Sequence, residues 1–393
     1  MRIMKVHVRG LAEHITALLV LASILCLGLM PAMCAEKTIT DLEGRTVTVS
    51  EPLDKVVTAG YGMTPCIMAA VGVGDKIVGT GGASVTGTSV TGPGNETTAT
   101  FLIPGLKDKA DLGRGPNLNV EAAVALNPDL MILEKDCAGQ GGSTLGYNKL
   151  IDQLQLFNKS FPLVIIKNAA CNSPPSPDSI YAEIDLLGKI FEKQERAGAL
   201  IDLLKDEVNL SSQRTEGISE NEKPTVLVAA LSGSADIAKG KLATVLPDYD
   251  CATLYPEITG IKNAYTGDAR VTMSAEQLIA LDPDVIILVR GARWKPSDLY
   301  ENEDYKALQS IKAIKNKRVY STGHMEYTRN MAGLEFPIEI LIEAKAAYPD
   351  RFRDINVGEQ LTKHYKAAYG LDDDQVKHLK EEMELDWMDE EGF

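Results

Sequence analysis

At roughly 150 residues per domain, a chain of 393 residues allows two to three domains. The composition, 45% hydrophobic and 24% charged, excludes wholesale disorder. Forty Lys and Arg against 55 Asp and Glu leave a net charge of −15, which excludes the basic footprint that nucleic acid requires. Small neutral or cationic ligands and basic protein partners remain.

The chain opens with Arg2, Lys5 and Arg9, then fifteen uncharged residues from Ile15 to Leu29, then Pro31 and the small run Ala32-Met33-Cys34-Ala35. Positive, apolar, then small is the order of a secretory signal peptide, so residues 1–35 are expected to be removed after Cys34 or Ala35. The apolar run falls short of the roughly 20 residues a spanning helix needs. A lipid anchor on Cys34 is the weaker alternative, because Met33 stands where a lipoprotein site wants a small residue. Nothing later is apolar for long enough to span a bilayer, so the mature protein is expected in the periplasm or on the outside of the cell envelope. Four of the six cysteines lie beyond this region: Cys66, Cys137, Cys171 and Cys251. They lack CxxC or Cys/His spacing, which argues against zinc. Cys137 and Cys171 each follow an apolar run and could meet as a disulfide if those strands are neighbours; free thiols are the alternative.

Strand candidates then alternate with helical stretches. KVVTAG (Lys55 to Gly60), KIVGTG (Lys76 to Gly81), LMIL before Glu134 and FPLVII (Phe161 to Ile166) belong to a first group. PTVLVAAL (Pro224 to Leu231), VIILV (Val285 to Val289) and KRVYST (Lys317 to Thr322) belong to a second. Such alternation predicts parallel α/β sheets. Thr80 to Gly105 is rich in Gly and Thr and reads as a long surface loop. Between the groups, Ile184, Leu187, Ile190, Phe191, Ala197, Leu200, Ile201 and Leu204 recur at helical spacing, which predicts a long rigid helix over 178–214. The tail from Asp372 is acidic and helix-like, a solvated or lobe-packing extension.

The most telling pattern is internal. Asn117 to Leu133 (NLNVEAAVALNPDLMIL) aligns without a gap to Thr272 to Leu288 (TMSAEQLIALDPDVIIL), with seven of seventeen positions identical at an offset of 155. Each copy reads as a capped short helix with an acid in its first turn, a Pro-Asp stop, and a buried strand. An αβ unit recurring at domain-sized spacing predicts two lobes of one architecture.

These duplicated segments, the opening ITDLEGRTVTVSEPLDKVVTAGYG and the late KNKRVYSTG together resemble the substrate-binding proteins of ABC importers for iron-siderophores, haem and cobalamin. The likeness runs from about Thr38 to Tyr348. It implies an α/β fold of two similar lobes with parallel sheets flanked by helices, joined by one long rigid helix. The corresponding divisions are a signal peptide over 1–35, lobes over 36–177 and 215–348, the bridging helix over 178–214, and a helical acidic extension over 349–393. It further implies a ligand in the cleft between lobes, a membrane permease with its ATPase as partners, and a monomer. In that family one surface Glu per lobe docks on the permease, and those positions fall on Glu121 and Glu276. Two carboxylates on separate lobes would give an oriented electrostatic grip; two first-turn acids favoured by the helix dipole are the bland alternative.

Ligands of open α/β lobes sit beyond the carboxyl ends of the strands. The cleft candidates are therefore Tyr61, Met63, Lys135, Ser232, Arg293, Trp294, His324, Tyr327 and Arg329, aromatics for packing and Arg for anionic oxygens. The only histidines beyond residue 35 are His324, His364 and His378, too scattered for a multi-His site for a bare metal. No resident cofactor is expected; the cargo would be a ferric chelate, haem or cobalamin. GxSxG, Walker and HExxH motifs are absent, and AVGVGDK precedes a strand where a dinucleotide loop must follow one, so an enzyme is not expected. An exported ligand sensor of the same fold is the alternative, and a secreted hydrolase ranks last.

Overall fold

The computed structural model describes residues 36–60, 63–81, 96–113, 117–135, 144–156, 161–167, 171, 176–247, 250–289, 294–325 and 334–393. The signal-peptide segment, Cys34 and most of the Gly/Thr-rich loop lie outside them. Thr38–Val49 and Leu53–Phe393 make up one compact unit, and the described residues 36–37 and 50–52 fall in a small second one, where Lys37 pairs with Glu51.

Strands β1 (Glu36–Thr40) and β2 (Thr46–Ser50) form a two-stranded ribbon. The first lobe follows as β3 (Val56–Ala59), α1 (Met63–Ala70), β4 (Ile77–Gly81), α2 (Thr98–Leu102), β5 (Ala110–Asp111), α3 (Val120–Ala125), β6 (Leu130–Lys135), α4 (Thr144–Gln155) and β7 (Leu163–Lys167). Its sheet runs β5-β4-β3-β6-β7, parallel throughout. Helices α5 (Asp178–Ile190) and α6 (Gln194–Thr215) lead to the second lobe. That lobe holds β8 (Thr225–Leu231), β9 (Ala243–Val245), α7 (Tyr255–Thr259), β10 (Lys262–Asn263), β11 (Val271–Met273), α8 (Ala275–Leu281), β12 (Val285–Leu288) and β13 (Val319–Ser321). Its sheet runs β11-β9-β8-β12-β13, with β10 on the start of β8. The pairs β8–β12–β13 are parallel, while β9 and β11 add an antiparallel edge. Helices α9 (Phe336–Ala347), α10 (Val357–Tyr369), α11 (Asp373–Glu382) and α12 (Trp387–Glu391) complete the chain.

Alternation along each strand explains how the sheets are covered on both faces. Val56, Leu130, Ile132, Val164 and Ile166 of the first sheet share one core with Val226, Val228, Val285 and Ile287 of the second. Their neighbours face outward into separate cores: Val57, Met131, Leu133, Leu163 and Ile165 in the first lobe, Leu227, Ala229, Ile286 and Leu288 in the second. The shared core is filled by α5, α6, α9 and the final helices, so the two sheets rest on one apolar body.

The duplicated segment keeps its register in three dimensions. Asn119 caps α3 by accepting the Ala122 amide at 3.0 Å, and Ser274 with Gln277 forms a capping box on α8. Asn127 and Asp282, one offset apart, both take a left-handed backbone at φ 46° and 39°. The Asp of each Pro-Asp pair then anchors the neighbouring strand. Asp129 Oδ2 accepts the amides of Asp54 and Lys55 at 2.9 and 2.8 Å ahead of β3; Asp284 Oδ2 accepts the Thr225 amide at 2.9 Å and its hydroxyl at 2.8 Å as β8 begins. The repeated Asp therefore fixes where each central strand starts.

The 178–214 segment differs from a single helix. It breaks at Phe191–Lys193, where Glu192 takes φ 56°, and α6 folds back along α5. A Cβ on Gly188 would lie 2.5 Å from Ala197 Cβ, so the absent side chain lets the two helices close. Helix α6 alone, 22 residues and about 33 Å long, carries the chain to the second sheet. The acidic tail is a packing element: Val376, Leu379, Met383, Leu385, Trp387 and Met388 are buried in the shared core.

Candidate functional site

In both sheets the carboxyl ends of the parallel strands carry the polar residues that the apolar runs lack. In the first lobe, Thr58 donates to Thr80 at 3.0 Å between adjacent strands, both side chains buried. Met63 opens α1 with its side chain in the shared core. Glu134 and Lys135 close β6, both buried. Lys135 Nζ lies 3.3 Å from Glu43, which also pairs with Lys167 at 3.0 Å; burial pushes the Glu43 carboxyl up, but the two ammonium groups outweigh it and hold it below its usual range. Lys135 is thus engaged with the turn between β1 and β2. Cys171 is disulfide-bonded, its partner outside the described residues, and its sulfur lies 3.4 Å from the Lys135 carbonyl.

The second lobe gathers three of the sequence candidates. Ser232 follows β8, Trp294 follows β12, and His324 follows β13. Strand β12 lies between β8 and β13, so Ser232 and His324 leave the same end of the sheet. Tyr305 organises part of it: its hydroxyl donates to the Ser232 carbonyl at 3.1 Å, and its ring meets Trp294 edge-on at 5.9 Å. Ser232 Oγ, Trp294 Nε1 and both ring nitrogens of His324 are buried and find no hydrogen-bond partner among the described residues. Buried polar groups are ordinarily satisfied, and an unmet one costs about 1–3 kcal/mol. Among the described residues these atoms lack a hydrogen bond, although His324 Nε2 lies 3.5 Å from Glu384 Oε2. Tyr61, Arg293, Tyr327 and Arg329 lie outside the described residues.

Glu121 and Glu276 are exposed on the first turns of α3 and α8. Ser274 Oγ donates to Glu276 at 2.7 Å, which holds that carboxyl below its usual range and keeps it charged.

Sequence reasoning missed a line of buried acids behind these edges. Glu335 at the N-cap of α9 and Glu339 and Glu343 within it follow one another at i, i+4 and i+8, each at most 3% exposed. Tyr255 donates to Glu339, and Thr259 donates to Glu343 at 2.9 Å. On α5, Glu183 accepts from Thr64 at 2.9 Å. Burial drives all four carboxyls above the usual range, Glu339 to about 8, so Glu339 is mostly protonated near pH 7. The signal was legible, since FPIEILIEAKAA sets acids on one face of an otherwise apolar helix. The tail's approach to the same region, through Met383 and Glu384, left no mark in the sequence. Among the described residues no group of three or more His, Cys, Asp or Glu is arranged to hold a metal ion, and no helix is long and apolar enough to cross a membrane.

Two sheets on a shared core, bridged by one long helix and polar at their carboxyl ends, define a two-lobed binding protein. Residues 57–324 match the family model described as periplasmic binding protein, and the chain belongs to that family, whose members are binding components of transport rather than enzymes. It is similar to the ABC transporter substrate-binding lipoprotein YvrC of Bacillus subtilis (strain 168), 23% identical over 81% of this chain and 87% of that one. Among solved structures it resembles a periplasmic solute binding protein of Veillonella parvula (TM-score 0.69, 24% identity, 91% of this chain and 100% of that one). It also resembles the molybdate-binding MolA of Haemophilus influenzae (TM-score 0.62, 19% identity, 85% and 98%). At these identities the structures share the fold.

Proposed function

We propose that this chain is the extracytoplasmic substrate-binding protein of an ABC importer, and that it captures an iron chelate (a ferric siderophore or haem) or cobalamin between its lobes. The observation that carries the reading is the set of buried polar atoms after the strands of the second sheet that lack a hydrogen bond among the described residues: Ser232 Oγ, Trp294 Nε1 and His324 Nδ1. A hydroxyl, an indole N–H and an imidazole suit the hydroxamate, catecholate or carboxylate oxygens on the face of such a chelate, while the Trp294 ring offers apolar area. The similarity to an ABC transporter substrate-binding lipoprotein supports delivery to a permease and, through it, an ATPase. Glu121 and Glu276 would dock there, one from each lobe at equivalent positions of the repeat.

Calorimetric titration against ferric siderophores, haem, cobalamin, free Fe(III) and molybdate tests the reading. Binding of one chelate at a ratio of one, weakened about tenfold or more by Ser232→Ala or His324→Ala, supports it. Binding of molybdate or free iron alone replaces the ligand class, and no binding at all contradicts it.

A further inference from the structure

We propose that the C-terminal extension is an interlobe strap: it is fastened to both lobes beside their carboxyl ends and fixes the distance between them. The extension lies beyond the stretch matched by the family model, which ends at 324.

Its hold on the second lobe is made by main chain. The His324 amide donates to the Met383 carbonyl at 2.9 Å, immediately after β13. Gly323 takes φ 56°, and a Cβ there would lie 2.1 Å from that carbonyl oxygen; glycine is what lets the tail seat. Glu384 Oε2 lies 3.5 Å from His324 Nε2, and Lys295 Nζ bonds Asp386 at 2.8 Å. The Tyr320 ring of β13 packs on Phe393 at 4.8 Å.

The hold on the first lobe is made by side chains. Thr98 Oγ1 donates to the Met383 sulfur at 3.7 Å, the Phe101 ring lies 5.6 Å from His378, and His378 Nε2 lies 3.6 Å from Glu96. Arg196 adds a tie further back, donating to Ala70 of α1 at 2.9 Å and to Ala367 of α10 at 3.0 Å.

Met383 is therefore a bridge by itself, its carbonyl on one lobe and its sulfur on the other, and it is 1% exposed. The shared core and α6 already join the lobes, which leaves only a limited twisting freedom between their strand ends. A second attachment beside the strand ends removes it and presents ligands with a gap of set width.

The test needs no ligand, so it stands apart from the identity of the cargo. Spin labels on cysteines introduced at Ala125 and Ala280, exposed and one repeat offset apart, report the lobe-to-lobe distance in the full chain. The native protein should give one narrow distribution. Gly323→Ala displaces the tail from the second lobe, and Met383→Ala removes the sulfur that meets the first. Each should at least double the width of the distribution and raise hydrogen exchange over 372–393 by tenfold or more. Should Gly323→Ala fail to fold, Met383→Ala decides alone, since it leaves the Gly323 turn intact. Tail exchange that rises while the distance distribution keeps its width overturns the proposal, as do unchanged values for both.

Discussion

Replacing Glu339 by Gln converts a buried titratable group into a neutral one of the same shape, and the effect on stability depends on pH in a direction the structure fixes. The side chain is 3% exposed on α9 and accepts from the Tyr255 hydroxyl. Burial, the largest influence, raises its pKa from 4.5 to about 8; the Tyr255 bond opposes this and Glu335 adds to it. The folded pKa lies above the unfolded one, so the folded state holds the proton more tightly. The stabilising contribution is whole below pH 4.5 and is lost as pH rises to about 8. Each unit is worth about 1.4 kcal/mol, so the full span corresponds to about 5 kcal/mol. Glutamine keeps an oxygen for Tyr255 and loses nothing on alkalinisation. Urea unfolding at pH 5, 6, 7 and 8 should give nearly equal stabilities at pH 5 and a variant several kcal/mol more stable than the native chain at pH 8. Parallel pH curves would refute the claim that this carboxyl is neutral in the fold.

Removing the repeated strand anchors, Asp129→Ala or Asp284→Ala, takes away two strand-entry hydrogen bonds to a carboxylate in each case and should cost about 1–3 kcal/mol apiece; calorimetric melting checks both singles and the additivity expected of distant sites. Trp387→Ala empties a buried position in the shared core and should cost about 3–5 kcal/mol, read by the same melts. Glu121→Ala with Glu276→Ala should leave ligand affinity unchanged and sharply reduce uptake in cells; unchanged uptake removes the docking role.

The repeat was the most legible feature of the sequence because the physics of each copy is local. A cap, a Pro-Asp stop and an apolar strand need only neighbouring residues, and the left-handed Asn127 and Asp282 follow from them. The break at Glu192 was not legible, because no Gly or Pro stands at 190–194 and Gly188 falls within the helical pattern; it arises where Gly188 and Ala197 let α5 and α6 close. The antiparallel β9 and β11 are three residues each, too short for a periodicity to register. Position alone puts Ser232, Trp294 and His324 after β8, β12 and β13; their part in binding is the proposal. Lys135 shows the limit of position, because its charge is spent on Glu43, a partner 92 residues away. The tail's contacts with His324 and Thr98 depend on folding across the whole chain.

Hydrogen exchange with and without bound chelate tests the central claim most directly. A ligand held between the lobes should slow exchange at the carboxyl ends of β3 and β6 in one lobe and around Ser232 and Gly323-His324 in the other. Protection confined to a single lobe, or placed away from these strand ends, would contradict it.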